Sequence, residues 1–148
     1  MKTLEEVLAA WEIDSKLPKS NLDEASRGTP SLHAKYLSVL AQTKLRLRKA
    51  EMDQKSLLKL KWLWYNGKMD QEQIKTLDWE FDPLNGLKVM KGEMDYYYDS
   101  DTEIQASEMK IQYLKTMIDT LTEIVSNLNW RHQTIGNMIK WRVFEAGS

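Results

Sequence analysis

A chain of 148 residues, 42% hydrophobic and 29% charged, has material for one domain, or for a small domain with an extended oligomerisation element. The absence of cysteine excludes disulfides, thiolate metal sites and cysteine nucleophiles, and agrees with a cytosolic protein. The net charge of −1 conceals a segregation: Lys44 to Lys68 holds eight basic residues against Glu51 and Asp53, and Asp78 to Glu103 holds eight acidic residues against Lys88 and Lys91. One region invites polyanions and the other repels them.

No apolar run approaches the roughly 20 residues that span a bilayer. The opening "MKTLEEVLAAWE" has two glutamates and no small-residue cleavage site, so no signal peptide is expected there. Thr3-Leu-Glu-Glu6 is a capping box and predicts a short helix ending near Trp11. Residues 14–29 are polar and turn-forming, and predict a loop with one helical turn around Asn21–Ala25. Thr29-Pro30 then supplies an N-cap and a first-turn proline, predicting a second helix from there to Asn66 with Gly67 as terminator.

Projected at the helical period, this second helix has two sides. Leu32, Tyr36, Val39, Leu47, Ala50, Leu57, Leu58 and Tyr65 form an apolar stripe. Lys44, Arg48, Lys55 and Lys59 align nearly opposite, and Trp62 falls within the same basic side. One reading is a solvated face on which Glu51 bridges Arg48 and Lys55; the other is a contact surface for an anionic, flat ligand. Residues 68–103 read as irregular, with a short helix in "MDQEQIKTL", a Pro-x-x-Gly turn in "DWEFDPLNGL", and either short strands or a broken helix around 86–98.

Ser100-Asp-Thr-Glu103 reads as a second capping box, opening a heptad of about six repeats. Ile104, Ile111, Ile118, Val125, His132 and Ile139 occupy position a; Ser107, Leu114, Leu121, Leu128, Ile135 and Arg142 occupy d; Met117, Ile124 and Met138 add position g. The stripe is wider than a two-stranded seam, and the helix is longer than so short a chain is expected to cover by itself. The pattern therefore predicts self-association beyond a dimer, with Ile111, Leu114, Ile118, Leu121, Val125, Leu128, Ile135 and Ile139 at the contact. The fold expected is mainly α: a basic helical region to residue 103, irregular and acidic over 68–103, then an oligomerisation helix over 104–148.

Chemistry of the enzymatic kind has little to build on. Asp99, Asp101 and Glu103 alternate as in a calcium loop, but Ile104 stands where the glycine belongs and Lys110 where the bidentate glutamate belongs, so no metal is expected. His132 reads as a seam residue, and His33 has no partner at ligand spacing. No phosphate-cradling glycine loop, nucleophile elbow or zinc-protease helix is present. No cofactor is expected, and the chain does not read as an enzyme.

The distinctive stretch is "KSLLKLKWLWYNGK", residues 55–68. Lysines neutralise phosphates, and aromatic faces accept unstacked bases; single strands offer both, whereas a duplex hides its base faces. Lys44, Arg48, Lys55, Lys59, Lys61, Trp62 and Lys68 are therefore the candidate DNA-binding residues. Trp64 and Tyr65 lie on or near the apolar side, where a core role is the simpler reading.

"KLKWLWYNGK" and the terminal "MIKWRVFEAGS" resemble the UvsY family of recombination mediators from T-even-type bacteriophages. The features carrying the resemblance are Lys59, Lys61, Tyr65, Gly67 and Phe144-Glu145-Ala146-Gly147, with Ile13-Asp14-Ser15 and Lys35-Tyr36-Leu37 in the same order along the chain. The resemblance implies an accessory protein in the cytoplasm of an infected bacterium. It would assemble into rings, bind single-stranded DNA, and help the phage recombinase replace the phage single-strand binding protein. It maps Lys59 and Lys61 onto the family's DNA-contacting basic pair, with lysine in place of the family's arginine at the second position, which keeps the charge but loses the planar fork. The competing reading is an oligomeric scaffold that does not bind nucleic acid.

Overall fold

The computed structural model describes residues 2–147, and among these there are six helices and no strand. They are α1 (Leu4–Asp14), α2 (Leu22–Tyr65), α3 (Gln71–Leu77), α4 (Met94–Ser100), α5 (Thr102–Asn129) and α6 (Arg131–Gly147). The mainly α fold is as expected. The open alternative of strands around 86–98 is not realised: Gly86 and Gly92 adopt φ of +81° and +87° in turns, residues 87–90 between them are irregular, and α4 begins at Met94.

Helix α1 starts on its capping box, with Thr3 Oγ1 accepting from the Glu6 N–H at 3.2 Å and Glu6 Oε2 accepting from the Thr3 N–H at 3.4 Å. Helix α2 begins at Leu22, eight residues before the proline that was expected to open it. Leu22 is buried and anchors the added turns, and Pro30 sits inside the helix. The proline leaves only the carbonyl four residues earlier without its helical donor, and that residue, Ser26, is exposed to water.

The start and length of the last predicted helix also differ. Asp101, not Ser100, is the cap of α5: its Oδ1 accepts from the Glu103 and Ile104 N–H groups, each at 3.0 Å. Ser100 belongs to α4, and its hydroxyl donates to the Tyr96 carbonyl. The heptad run is interrupted at Trp130, whose N–H turns to the Asn127 carbonyl at 3.2 Å. Arg131 then points inward, donating to the Asp14 carbonyl at the C-terminus of α1, where a cation meets the negative end of the helix dipole. His132 is exposed, with Nδ1 3.0 Å from the Asn129 carbonyl oxygen, and is not the seam histidine expected.

The chain forms two compact units. The first comprises Met1–Leu45 with Leu114–Ser148; the second comprises Arg46–Tyr113. This differs from a division at residue 103. In the first unit, Val7, Tyr36, Leu40, Leu114, Met117, Leu121, Ile124, Leu128 and Ile135 are buried. Four of these, Leu114, Leu121, Leu128 and Ile135, are among the residues expected at a contact with another copy. The subunit's own fold covers the d positions Leu114, Leu121, Leu128 and Ile135 as core of the first unit and the a position Ile111 as core of the second. Ile118 and Val125 are half-buried, and Ile139 is exposed. The second unit buries Ala50, Met69, Ile74, Ile104 and Ile111, together with two charged side chains, Lys61 and Asp101.

Candidate nucleic-acid interface

The candidate surface is the end of α2, within the second unit. Gly67 ends the helix with φ of +68°, a conformation costly for any residue bearing a Cβ. Its N–H donates to the Trp64 carbonyl at 3.2 Å and the Lys68 N–H to the Leu63 carbonyl at 2.8 Å, the paired bonds of a Schellman motif. The turn folds Lys68 back so that its Nζ lies 4.7 Å from the centre of the Trp62 ring. Trp62 is 40% exposed, and Arg48, Lys55, Lys59 and Lys68 are exposed with it.

Among the described residues, Lys55, Lys59 and Arg48 form no ion pair, and Glu51 bridges none of them. Lys49 does pair, with Asp53 at 2.9 Å. Arg48 and Lys55 are therefore exposed and not bridged by Glu51. Lys44 is also exposed but belongs to the first unit.

Lys61 requires a correction. It was placed with Lys59 at a phosphate, yet it is only 3% exposed. Two residues along a helix is a rotation of about 200°, so the same helix turns Lys61 inward as it turns Lys59 out. Its Nζ lies 3.1 Å from Asp101 Oδ2 and 3.4 Å from Glu103 Oε1. It also sits 3.9 Å from the centre of the Trp79 ring and 4.5 Å from that of Trp64. An ammonium held by a buried carboxylate and two aromatic faces is not available to a strand.

Around it the sequence holds a network that the motif reading missed. Tyr65 Oη donates to Asp101 Oδ2 at 2.7 Å, and Trp64 Nε1 donates to the Glu80 carbonyl at 2.8 Å. The Trp64 ring packs 5.0 Å from Trp79, and Tyr65 5.5 Å from Tyr97. Burial by itself would raise the Asp101 carboxyl. The hydrogen bonds from Tyr65, the Ile104 N–H and Lys61, with the lysine's charge, outweigh it and hold the group below the usual carboxylate range. Burial, and then the bond to that carboxylate, push the Tyr65 phenol up, so it stays a protonated donor. No buried side-chain polar atom among the described residues lacks a partner. The signal that could have found this network is the Lys61–Trp64 spacing of three, which puts both on one helix face.

Residues 10–148 match the family described as "Recombination, repair and ssDNA binding protein UvsY". The chain belongs to the UvsY family. No curated protein matches it. Its fold is similar to crystal structures of the recombination mediator protein UvsY of bacteriophage T4. Lattice type II gives a TM-score of 0.81 at 19% identity, covering 99% of each chain. Lattice type IV gives 0.77 at 19% identity over 98% of this chain and 99% of that one, and lattice type I gives 0.78 at 20% over 96% and 98%. With so few identities the likeness is one of fold. As a UvsY-family chain, it belongs among recombination, repair and single-stranded DNA-binding proteins. Among the described residues no helix is long and apolar enough to cross a membrane.

Proposed function

We propose that this subunit holds single-stranded DNA on the end of α2 and acts, as an oligomer, to help a recombinase displace a single-strand binding protein. The observation that carries the reading is the exposed Trp62 ring, with Lys68 against it and the unpaired Lys59 one turn away. Lys59, Lys55, Arg48 and Lys68 would meet phosphates, and Trp62 would stack on a base. Aromatic–base stacking contributes roughly 1–3 kcal/mol per base. Such contacts are weak singly, and several copies in one assembly raise their combined affinity through effective concentration.

Self-association, in this reading, uses what the subunit leaves uncovered. Ile139, Trp141, Val143 and Phe144 of α6 are all exposed, and Trp141 and Phe144 stack with centroids 5.4 Å apart. Large exposed apolar side chains gathered on one short helix mark an interaction surface.

The test is oligonucleotide affinity against salt for wild type, Lys59→Ala and Trp62→Ala, with a duplex of the same length as control. Lys59→Ala should flatten the log–log slope by about 0.7 per subunit engaged. Trp62→Ala should lower affinity at every salt concentration and leave the slope alone. Binding of duplex as tight as of single strand would overturn the stacking role of Trp62, and no salt-dependent binding at all would leave the scaffold reading in possession.

A further inference from the structure

Lys61 and Asp101 lie at the one place where the second unit buries opposite charges, and neither belongs to the DNA-facing surface. The pair ties the last turns of α2 to the first turn of α5, since Asp101 caps α5 through its other oxygen while Oδ2 holds Lys61 and Tyr65. The lysine's seat between Trp64 and Trp79 extends the tie to the segment just after α3. Trp62 is next to Lys61 in sequence, and Lys59 is one half-turn before it. A rotation of α2 large enough to carry Lys61 out of its seat would sweep both across the surface. Buried ion pairs are poor sources of net stability, because desolvation offsets the attraction; their better-attested use is to fix one register out of several.

We propose that Lys61 is a positioning residue for DNA binding, acting through Asp101 to fix the rotation at which α2 presents Lys59 and Trp62. It touches neither phosphate nor base. The proposal rests on the reading of the α2 end as the single-strand contact.

Asp101→Asn separates the possibilities sharply. Asparagine keeps the shape and the capping oxygen and removes the charge that holds Lys61. Were Lys61 a phosphate ligand, freeing its ammonium would tighten binding and steepen the salt slope. A positioning role gives the opposite: affinity falls by about threefold or more at unchanged slope, the size expected of coupled neighbours. The same loss should shrink or vanish in a Trp62→Ala background, because there is then less to position. A purely structural prop would lower the melting temperature, leave the affinity of the folded protein untouched, and show no coupling to Trp62.

All measurements use the full-length chain well below its melting temperature, with oligomeric mass checked for each variant. If Asp101→Asn does not fold, Tyr65→Phe removes one hydrogen bond from the same carboxylate while keeping the ring, and should move affinity the same way by less. Tighter binding or a steeper slope in either variant overturns the proposal, as does unaltered affinity. Should Lys59→Ala itself leave the salt slope at the wild-type value, the DNA surface has been misplaced, and the positioning role falls with it.

Discussion

Lys59 and Lys61 carry the same charge two residues apart, and their surroundings give them opposite work. Water solvates Lys59, so its removal touches little in the folded subunit. Removing Lys61 alone would strand the Asp101 carboxylate away from water, a change that typically costs about 3–5 kcal/mol. The first unit repeats the arrangement with different residues: Asp14 Oδ2 accepts from Lys35 Nζ and Tyr36 Oη, each at 2.7 Å. For Asp14, too, burial works to raise the carboxyl and the bonds from Lys35 and Tyr36 bring it below its ordinary 3.8. Because both groups are lowered in the folded chain, the unfolded chain takes up protons first. Their stabilisation is complete above the ordinary carboxylate value and is lost as pH falls below it towards the folded values. Denaturation midpoints measured from about pH 6 down to about pH 3 should therefore decline, and Asp101→Asn should make the decline shallower without abolishing it, since Asp14 remains. A decline of the same steepness in that variant would mean that other carboxylates dominate.

At the scale of elements, the end of α2 was the part best read in advance. Gly67 was identified as the terminator from its type alone, and its φ of +68° shows why no other residue serves as well. A Cβ at Gly67 would meet no heavy atom within 4 Å, so Gly67→Ala should cost only the left-handed backbone, about 1–2 kcal/mol. Thermal unfolding of that variant measures it, and a neutral result would show that the turn relaxes into another form. Other boundaries were not legible, for physical reasons. Proline is compatible with both a first turn and an interior position whose orphaned carbonyl reaches water, so Thr29-Pro30 could not reveal that α2 begins at Leu22. Ser100 and Asp101 are both good caps, and only the pull of Lys61 and Tyr65 on the Asp101 carboxylate favours the second. The heptad marked Leu114, Met117, Leu121, Ile124 and Leu128 of α5, which are buried, along with Ile118 and Val125, which are only half-buried; periodicity states that a face is covered, not whether the cover is the same chain or a copy. Lys61 projects away from Lys59 already on a helical projection; the family motif assigned it to DNA, and nothing local in the sequence announces that Asp101, far along the chain, takes it up.

For the whole molecule, the proposed assembly would depend on side chains that folding leaves uncovered. Replacing Trp141 and Phe144 together with lysine should reduce the mass in solution, measured by sedimentation at micromolar concentration, while leaving helix content within a few per cent of wild type. Both side chains are more than half exposed in the subunit, at 61% and 65%, so the substitution opens no cavity. Lower mass accompanied by weaker oligonucleotide binding at an unaltered salt slope per subunit is what multivalent contact requires. An unchanged mass would move the contact to the half-buried Ile118 and Val125 on α5, or elsewhere.

The two units also differ in how the chain supplies them. The second is one continuous stretch, Arg46–Tyr113, whereas the first is completed only when Leu114–Ser148 joins the opening 45 residues. A ribosome delivers the chain from its beginning, at roughly 5–20 residues per second. The middle stretch is thus all available while the beginning still waits for the partners that will cover Val7, Tyr36 and Leu40. Order of birth and order of folding are therefore expected to be reversed, with the oldest segment the last to be buried. Pulsed hydrogen exchange during refolding should show protection rising over 46–113 ahead of 4–45, and simultaneous protection would mean that the two units condense together. For the chain as it is made, the vulnerable interval is the one in which its first helices are finished and their cover is not.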